Sequence, residues 1–132
     1  MSVPDAGQRA NGQSLTAAIS SAVVGVVREY TGRGPTKART SIRDNVLVVL
    51  LEDTLTKGER ALVRNGRAEK VLDIRKEFQE AMREDFISKV SQLTGRSVVA
   101  MMSTNNIDPD LAVELFVLDG PVGIGEGNGT VT

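Results

Sequence analysis

Six consecutive aliphatic residues, Val46–Leu51, constrain the fold more than any other feature of this 132-residue chain. Successive side chains of a strand point to opposite faces, so this segment is apolar on both faces and predicts a strand in the interior of a sheet. Thr36–Ile42, just before it, alternates polar with less polar side chains and predicts a neighbouring strand. Asp44-Asn45 lies between the two segments as a two-residue turn signal, so we expect a hairpin.

The other segments predict three helices and a second hairpin, at residues 15–30, 56–64, 67–93, 97–104 and 111–118. The first helix follows a capping Ser14 and repeats apolar residues at spacings of three and four. The second helix opens with Thr56 and Glu59, the pattern of a capping box. Gly32, Gly34 and Gly95 end helices because glycine adopts the left-handed conformation of a C-terminal cap.

These elements predict the fold class. We expect an α+β domain of two layers, with the order α-β-β-α-α-β-β and the helices on one face of a four-stranded, mostly antiparallel sheet built from two hairpins. The single domain is expected over residues 13–118. Residues 1–12 are expected to be a flexible N-terminal tail, and the Gly-rich residues 119–132 a disordered C-terminal tail.

Composition excludes several functional classes. The chain has no Cys and no His, which excludes thiolate and imidazole catalysis and the usual zinc and haem ligands. We therefore expect no enzyme, no catalytic residues, no metal and no cofactor. A formal net charge of −1 gives no reason to expect a nucleic-acid partner. The first residues contain no secretory signal, and the longest apolar run, the six residues Val46–Leu51, is too short to span a bilayer. We therefore expect a cytoplasmic protein without membrane insertion.

The segment after the first helix is a candidate binding site for a small anion, phosphate or nucleotide. Two glycines around an arginine can turn successive backbone N–H groups toward one point, and basic side chains then line one strand face. The candidate residues are Gly32, Arg33, Gly34, Lys37, Arg39 and Arg43. The simpler interpretation, which we rank first, is a helix cap followed by a solvated strand face.

The long helix carries an acidic stripe, which is a candidate partner interface. At about 100° per residue, one narrow sector holds Asp73, Glu77, Glu80 and Glu84. The stripe suits a basic partner surface, the basic strand of a second copy or a divalent cation, although a solvated helix face is the default. The opposite side is the predicted core face, with Val71, Ile74, Phe78, Ala81, Met82, Phe86 and Leu93. Glu114 is expected on an open face, as the polar half of a strand alternation.

The segment Tyr30–Ile42, YTGRGPTKARTSI, resembles the hallmark of the small bacterial MpsC-like proteins. Further similar segments are Leu55-Thr56 with Glu59, Phe78–Arg83, Leu93–Arg96, Asp108–Asp110 and Val113–Leu118. The resemblance covers about residues 15–118. It implies an association with a sodium-translocating, membrane-potential-generating system, linked in some bacteria to inorganic-carbon uptake. It supplies no catalytic residues.

Together these observations predict a non-enzymatic cytoplasmic accessory or regulatory protein that acts by binding. The expected partners are a membrane ion or inorganic-carbon transport complex and further copies of the chain, with a homodimer favoured. The alternative is a small-ligand sensor that binds an oxyanion or nucleotide through the segment from Gly32 to Arg43. A metal-assisted enzyme that uses carboxylates alone ranks third.

Overall fold

The computed structural model describes residues 14–122, and these residues form three helices and four strands. The helices are α1 (Leu15–Thr31), α2 (Lys57–Arg64) and α3 (Ala68–Thr94). The strands are β1 (Lys37–Arg43), β2 (Val46–Glu52), β3 (Val98–Asn106) and β4 (Leu111–Leu118). The predicted α+β class and the order α-β-β-α-α-β-β are confirmed.

The helix ends are stabilised by the caps that the sequence predicts. The Ser14 hydroxyl accepts a hydrogen bond from the Ala17 backbone N–H at 3.1 Å and starts α1. Gly32, at φ 80°, ends α1, and its N–H donates to the Arg28 carbonyl. Thr56 and Glu59 form the complete capping box of α2, each side chain accepting from the backbone N–H of the other. Such caps satisfy backbone groups that a helix end leaves without partners.

The sheet has the strand order β1-β2-β4-β3, and each neighbouring pair is antiparallel. The two hairpins therefore lie side by side, joined through β2 and β4, with Val48 opposite Leu115. The aliphatic strand β2 is central, as its two apolar faces predict. The sheet is antiparallel throughout the described residues, rather than only mostly so.

The core lies between one face of the sheet and the helices α1 and α3. Leu47 and Phe116 contribute from the central strands, and Val23 and Phe86 contribute from the helices. These side chains are fully buried. The strand members of the core belong to a single alternating set, so the helices of residues 14–122 cover one face of the sheet and leave the other face uncovered.

The buried stripe of α3 differs from the predicted core face. Ile74 is 39% exposed and Ala81 is also exposed, so their assignment to the core was wrong. Arg75, for which we predicted no core role, is only 6% exposed. Side chains four residues apart advance by about 40° around a helix. The buried stripe consequently winds away from Ile74 and Ala81 as it follows Val71, Arg75, Met82, Phe86 and Val90.

Ordered packing continues past residue 118, the predicted end of the domain. The Asp119 N–H donates to the Ser97 carbonyl, and Val122 is buried with its N–H donating to the Asp44 carbonyl. The predicted tail at residues 1–12 and the final residues 123–132 lie outside the described part of the chain. Among residues 14–122, no helix has both the length and the hydropathy needed to cross a membrane.

Candidate functional site

Arg33 joins the end of α1 to the loop between β2 and α2. Its guanidinium donates to the Asp53 carbonyl at 2.6 Å and to the Leu55 carbonyl at 3.1 Å. It also pairs with the Asp53 carboxylate at 2.9 Å. The hydrogen bond from Arg33 holds the pKa of the Asp53 carboxyl below its ordinary value. Arg33 therefore binds the loop between β2 and α2 through two backbone carbonyls and one carboxylate.

The two glycines beside Arg33 also serve internal packing. The Gly32 N–H donates to the Arg28 carbonyl, and the Arg33 N–H points to the Thr31 hydroxyl. A Cβ at Gly34 would stand 3.2 Å from both Arg28 and Val24, so the chain passes close to α1 here. The N–H groups of Gly32 and Arg33, which the anion hypothesis used, thus have acceptors within the chain. Anion binding itself stays a prediction.

The same loop continues into a network of charged and hydroxyl groups. Asp110, which precedes β4, accepts from the Thr54 hydroxyl at 2.9 Å and from the Leu55 N–H at 2.9 Å. Arg60 of α2 pairs with Asp53 and lies 3.6 Å from Asp110. We call this cluster the Arg33 junction. Its residues are Arg33, Asp53, Thr54, Leu55, Glu59, Arg60, Arg75 and Asp110. It ties α1, α2 and the β3–β4 turn to one loop.

Arg75 is the buried end of the Arg33 junction. Its guanidinium donates to the Thr54 hydroxyl, and its Nε lies 3.9 Å from Oε2 of Glu59. Both side chains of this ion pair are 8% exposed. Within residues 14–122 the Arg75 Nε has no hydrogen-bond partner. A buried charge of this kind is tolerated only while its counter-charge is in place.

Glu114 lies on the core face of β4 and is 2% exposed, so the expectation of an open position was wrong. It shares this face with Ala112 and Phe116, and the Ser103 hydroxyl donates to its Oε1. Burial raises the pKa of Glu114 to about 7, although hydrogen bonds from Ser103 and Gln79 and the charge of Arg75 act in the opposite direction. The Leu111–Leu118 sequence is apolar at both alternating sets, which is why the pattern alone did not place this carboxyl.

A model of a known protein family matches most of the chain. The model that matches residues 11–120 describes the Na+-translocating membrane potential-generating system, MpsC. The chain belongs to the MpsC family. Comparison with curated proteins and comparison with solved structures gave no match.

The Arg33 junction brings together residues from several of the MpsC-like segments. Arg33 comes from the first of these segments, Leu55 and Glu59 come from the second, and Asp110 comes from a later one. The structure brings all four into one contact network. These residues of the MpsC-like segments therefore hold elements together, and Leu55, Arg60 and Asp110 also line an open groove of about 360 Å³ beside α2.

The basic strand residues lie elsewhere, on the uncovered face of the sheet. Lys37, Arg39 and Arg43 are exposed at alternating positions of β1, as predicted. Arg39 lies 3.6 Å from the Glu52 carboxylate on β2. The structure thus separates the predicted anion-binding residues into two groups. Gly32, Arg33 and Gly34 belong to internal contacts, whereas the three strand cations face outward.

The uncovered face is mostly apolar, a feature that sequence reasoning did not identify as a site. We call it the open sheet face. Its central residues are only partly buried. They are Val46, Val48 and Leu50 of β2 and Leu111, Val113, Leu115 and Val117 of β4. Met102, 55% exposed, extends it onto β3. Two central strands that are apolar at both alternating sets, in an antiparallel sheet, were the available sequence signal.

The predicted acidic stripe lies on the exposed side of α3. Asp73, Glu77, Glu80 and Glu84 are all exposed, and none of them forms an ion pair within the described residues. Asp73 also lines an open groove of about 480 Å³ between α3 and β3. Among residues 14–122, no three carboxylates are placed to hold a metal ion. The stripe stays a candidate partner interface.

Proposed function

We propose that this MpsC-family protein is an accessory or regulatory subunit that acts by binding other proteins. The open sheet face is its principal contact surface, and this face is the observation that carries the proposal. The family description names a Na+-translocating system, so the proposal assigns the protein to a membrane ion transport complex. The cytoplasmic location predicted from the sequence is part of the same proposal.

Physical chemistry supports a protein-binding role for the open sheet face. Burying apolar surface in an interface is favourable by roughly 25 cal/mol for each Å² that is removed from water. Contiguous apolar patches of several hundred Å² on folded proteins mark interaction sites. The face combines seven aliphatic side chains of the central strands with cations along one edge. This apolar centre with a polar rim is the usual anatomy of a protein interface.

The acidic stripe of α3 is proposed as a second contact surface. Asp73, Glu77, Glu80 and Glu84 are exposed on the helical layer, whereas the open sheet face lies on the opposite side of the sheet from that layer. Carboxylates that form no ion pair with another residue of 14–122 are available to a basic surface of another subunit. Charged surfaces of this kind set association rates and partner choice more than affinity.

Capture from native membranes tests the proposed function. Tagged full-length chain is compared with Val48→Glu, which places a charge at the centre of the open sheet face. Leu72→Glu, at an exposed leucine of α3, is the matched control. We expect wild type and Leu72→Glu to recover a transport component that Val48→Glu loses. Equal recovery by all three chains, or none by the wild type, would contradict the proposal.

A small-anion sensor is the second candidate function, and the aligned cations Lys37, Arg39 and Arg43 favour it. Thermal unfolding with phosphate, bicarbonate and nucleotides tests it. A ligand at about 100 times its dissociation constant stabilises by about 2.7 kcal/mol. The sensor hypothesis predicts a saturable rise of the midpoint that Lys37→Ala/Arg43→Ala abolishes. The absence of any shift in the wild type contradicts it.

A further inference from the structure

We infer that the occupant of the open sheet face is a second copy of this chain, packed sheet against sheet about a two-fold axis parallel to the strands. This inference rests on the proposed function, because it names the partner of the same surface. Three observations support it: the size of the face, the placement of its charges and the composition of the chain ends.

The open sheet face is large enough for a specific dimer. Seven-residue strands at about 3.4 Å per residue and four strands at about 4.8 Å spacing give a footprint of about 450 Å². Side chains make the accessible area of such a face larger than its footprint, so two copies bury roughly 1,000 Å² or more, the lower bound of specific interfaces. Face-to-face packing of two antiparallel sheets is also a common architecture.

The register of the sheet defines rows of side chains across the open sheet face. One row runs from Arg39 through Leu50 and Val113 to Thr104. The row on one side of it begins at Lys37 and ends at Asn106. Three of the four rows have a cation on β1, at one edge, and the β3 end of every row carries no charge. Glu52 on β2, in the row of Lys37, is the one carboxylate of these rows, and it lies 3.6 Å from Arg39.

This charge distribution selects one of the two aligned arrangements. With the two-fold axis across the strands, β1 lies on β1 of the second copy and Lys37 faces Arg43, so like charges meet and oppose association. With the axis along the strands, β1 lies on β3 of the second copy. Arg39 then faces Thr104 and Lys37 faces Asn106, whose side-chain oxygens accept hydrogen bonds. The aliphatic side chains of β2 and β4 meet those of the second copy at the centre.

The chain ends supply a poorer cover for this face. Residues 123–132 contain two aliphatic side chains, Ile124 and Val131, and the other eight residues are four glycines, three uncharged polar residues and Glu126. The larger apolar residues of the first thirteen are Met1 and Val3. A second copy instead offers a matching set of seven central aliphatic side chains. It also leaves the acidic stripe of each copy on the outside of the dimer.

Sedimentation and site-directed crosslinking test this inference. The chain has no cysteine, so single substitutions give unique attachment points. Full-length Arg39→Cys and Thr104→Cys chains are mixed and treated with a bis-maleimide whose reach matches the spacing of packed sheets, about 10 Å. We expect efficient crosslinking in the mixture and little in either variant alone. Sedimentation is expected to give a dimer for the wild type and for Leu72→Glu, and a folded monomer for Val48→Glu.

Three outcomes would overturn the inference. A wild type that is monomeric at every concentration excludes a second copy as the occupant. A dimer that Val48→Glu leaves intact uses another surface. Crosslinking of Arg39→Cys to itself shows the other axis. In the first of these cases the proposed function still stands if membrane capture depends on Val48, and it fails separately if capture does not.

Discussion

The Arg33 junction and the open sheet face differ in how completely the chain satisfies its own side chains. In the junction, three arginines and three carboxylates contact one another and the loop at residues 53–56. On the open sheet face, the aliphatic side chains of two central strands contact no helix of the described residues. Side chains that contact other parts of the same chain contribute to its stability, whereas side chains left exposed are available to a binding partner. Substitutions in the Arg33 junction are therefore expected to lower stability, and substitutions on the open sheet face are expected to weaken binding.

The largest effect is expected from Arg75→Ala, at the buried end of the Arg33 junction. Removing the guanidinium leaves the Glu59 carboxylate buried without its counter-charge, which costs about 3–5 kcal/mol of the free energy of unfolding. Denaturant unfolding measures the loss. Lys76→Ala, at the exposed neighbouring position, is the control and is expected to change stability by less than about 0.5 kcal/mol. A loss below about 1 kcal/mol for Arg75→Ala would mean that the junction does not stabilise the fold.

The next effect concerns Glu114 and pH. Its pKa is about 7 in the folded chain and 4.5 when unperturbed, so the folded state binds the proton more tightly. The stabilisation is fully present below about pH 4.5 and is lost as pH rises through about 7, a change of about 3 kcal/mol. Glu114→Gln removes this titration. We expect the stability of the wild type, relative to Glu114→Gln, to fall across that window, and parallel pH profiles would contradict the assignment.

A smaller effect is expected from Arg33→Ala, at the partly exposed end of the junction. It removes the hydrogen bonds to the Asp53 and Leu55 carbonyls. We expect a midpoint of thermal unfolding lower by several degrees. Arg43→Ala, on the exposed edge strand, is the matched control and is expected to leave the midpoint unchanged. Equal midpoints for the two variants would place Arg33 outside the stabilising network.

The smallest change in stability is expected from charge reversal of the acidic stripe. Asp73→Lys/Glu77→Lys keeps like charges at these two positions but places each lysine one helical turn from a glutamate, Glu69 or Glu80, so stability changes by only a few tenths of a kcal/mol. Capture of the membrane component is expected to weaken nonetheless. Unchanged capture by this variant would remove the stripe from the binding surfaces while leaving the open sheet face untouched.

The sequence was most informative where structure depends on neighbouring residues. Ser14, Thr56 and Glu59 mark helix starts because a cap needs only the next turn of backbone. The two apolar faces of Val46–Leu51 indicated a central strand because the alternation of side chains is local.

The candidate sites were harder to predict because they depend on distant segments. Arg75 is buried because Thr54 and Glu59 supply its partners, and a charged residue is otherwise expected at the surface. Glu114 faces the core because the pairing of β4 with β2 and β3 fixes which alternating set is covered. The open sheet face became visible only once all the described helices lay on one side.

The measurement that tests the central claim most directly is the alkylation rate of Val48→Cys in the otherwise cysteine-free full-length chain. Lys89→Cys, at an exposed position of α3 outside the acidic stripe, is the reference site. The account predicts that alkylation at position 48 slows relative to position 89 as protein concentration rises, through a second copy, or when membrane extract is added, through another subunit. Equal relative rates under all these conditions would show that the open sheet face contacts no partner and would contradict the account.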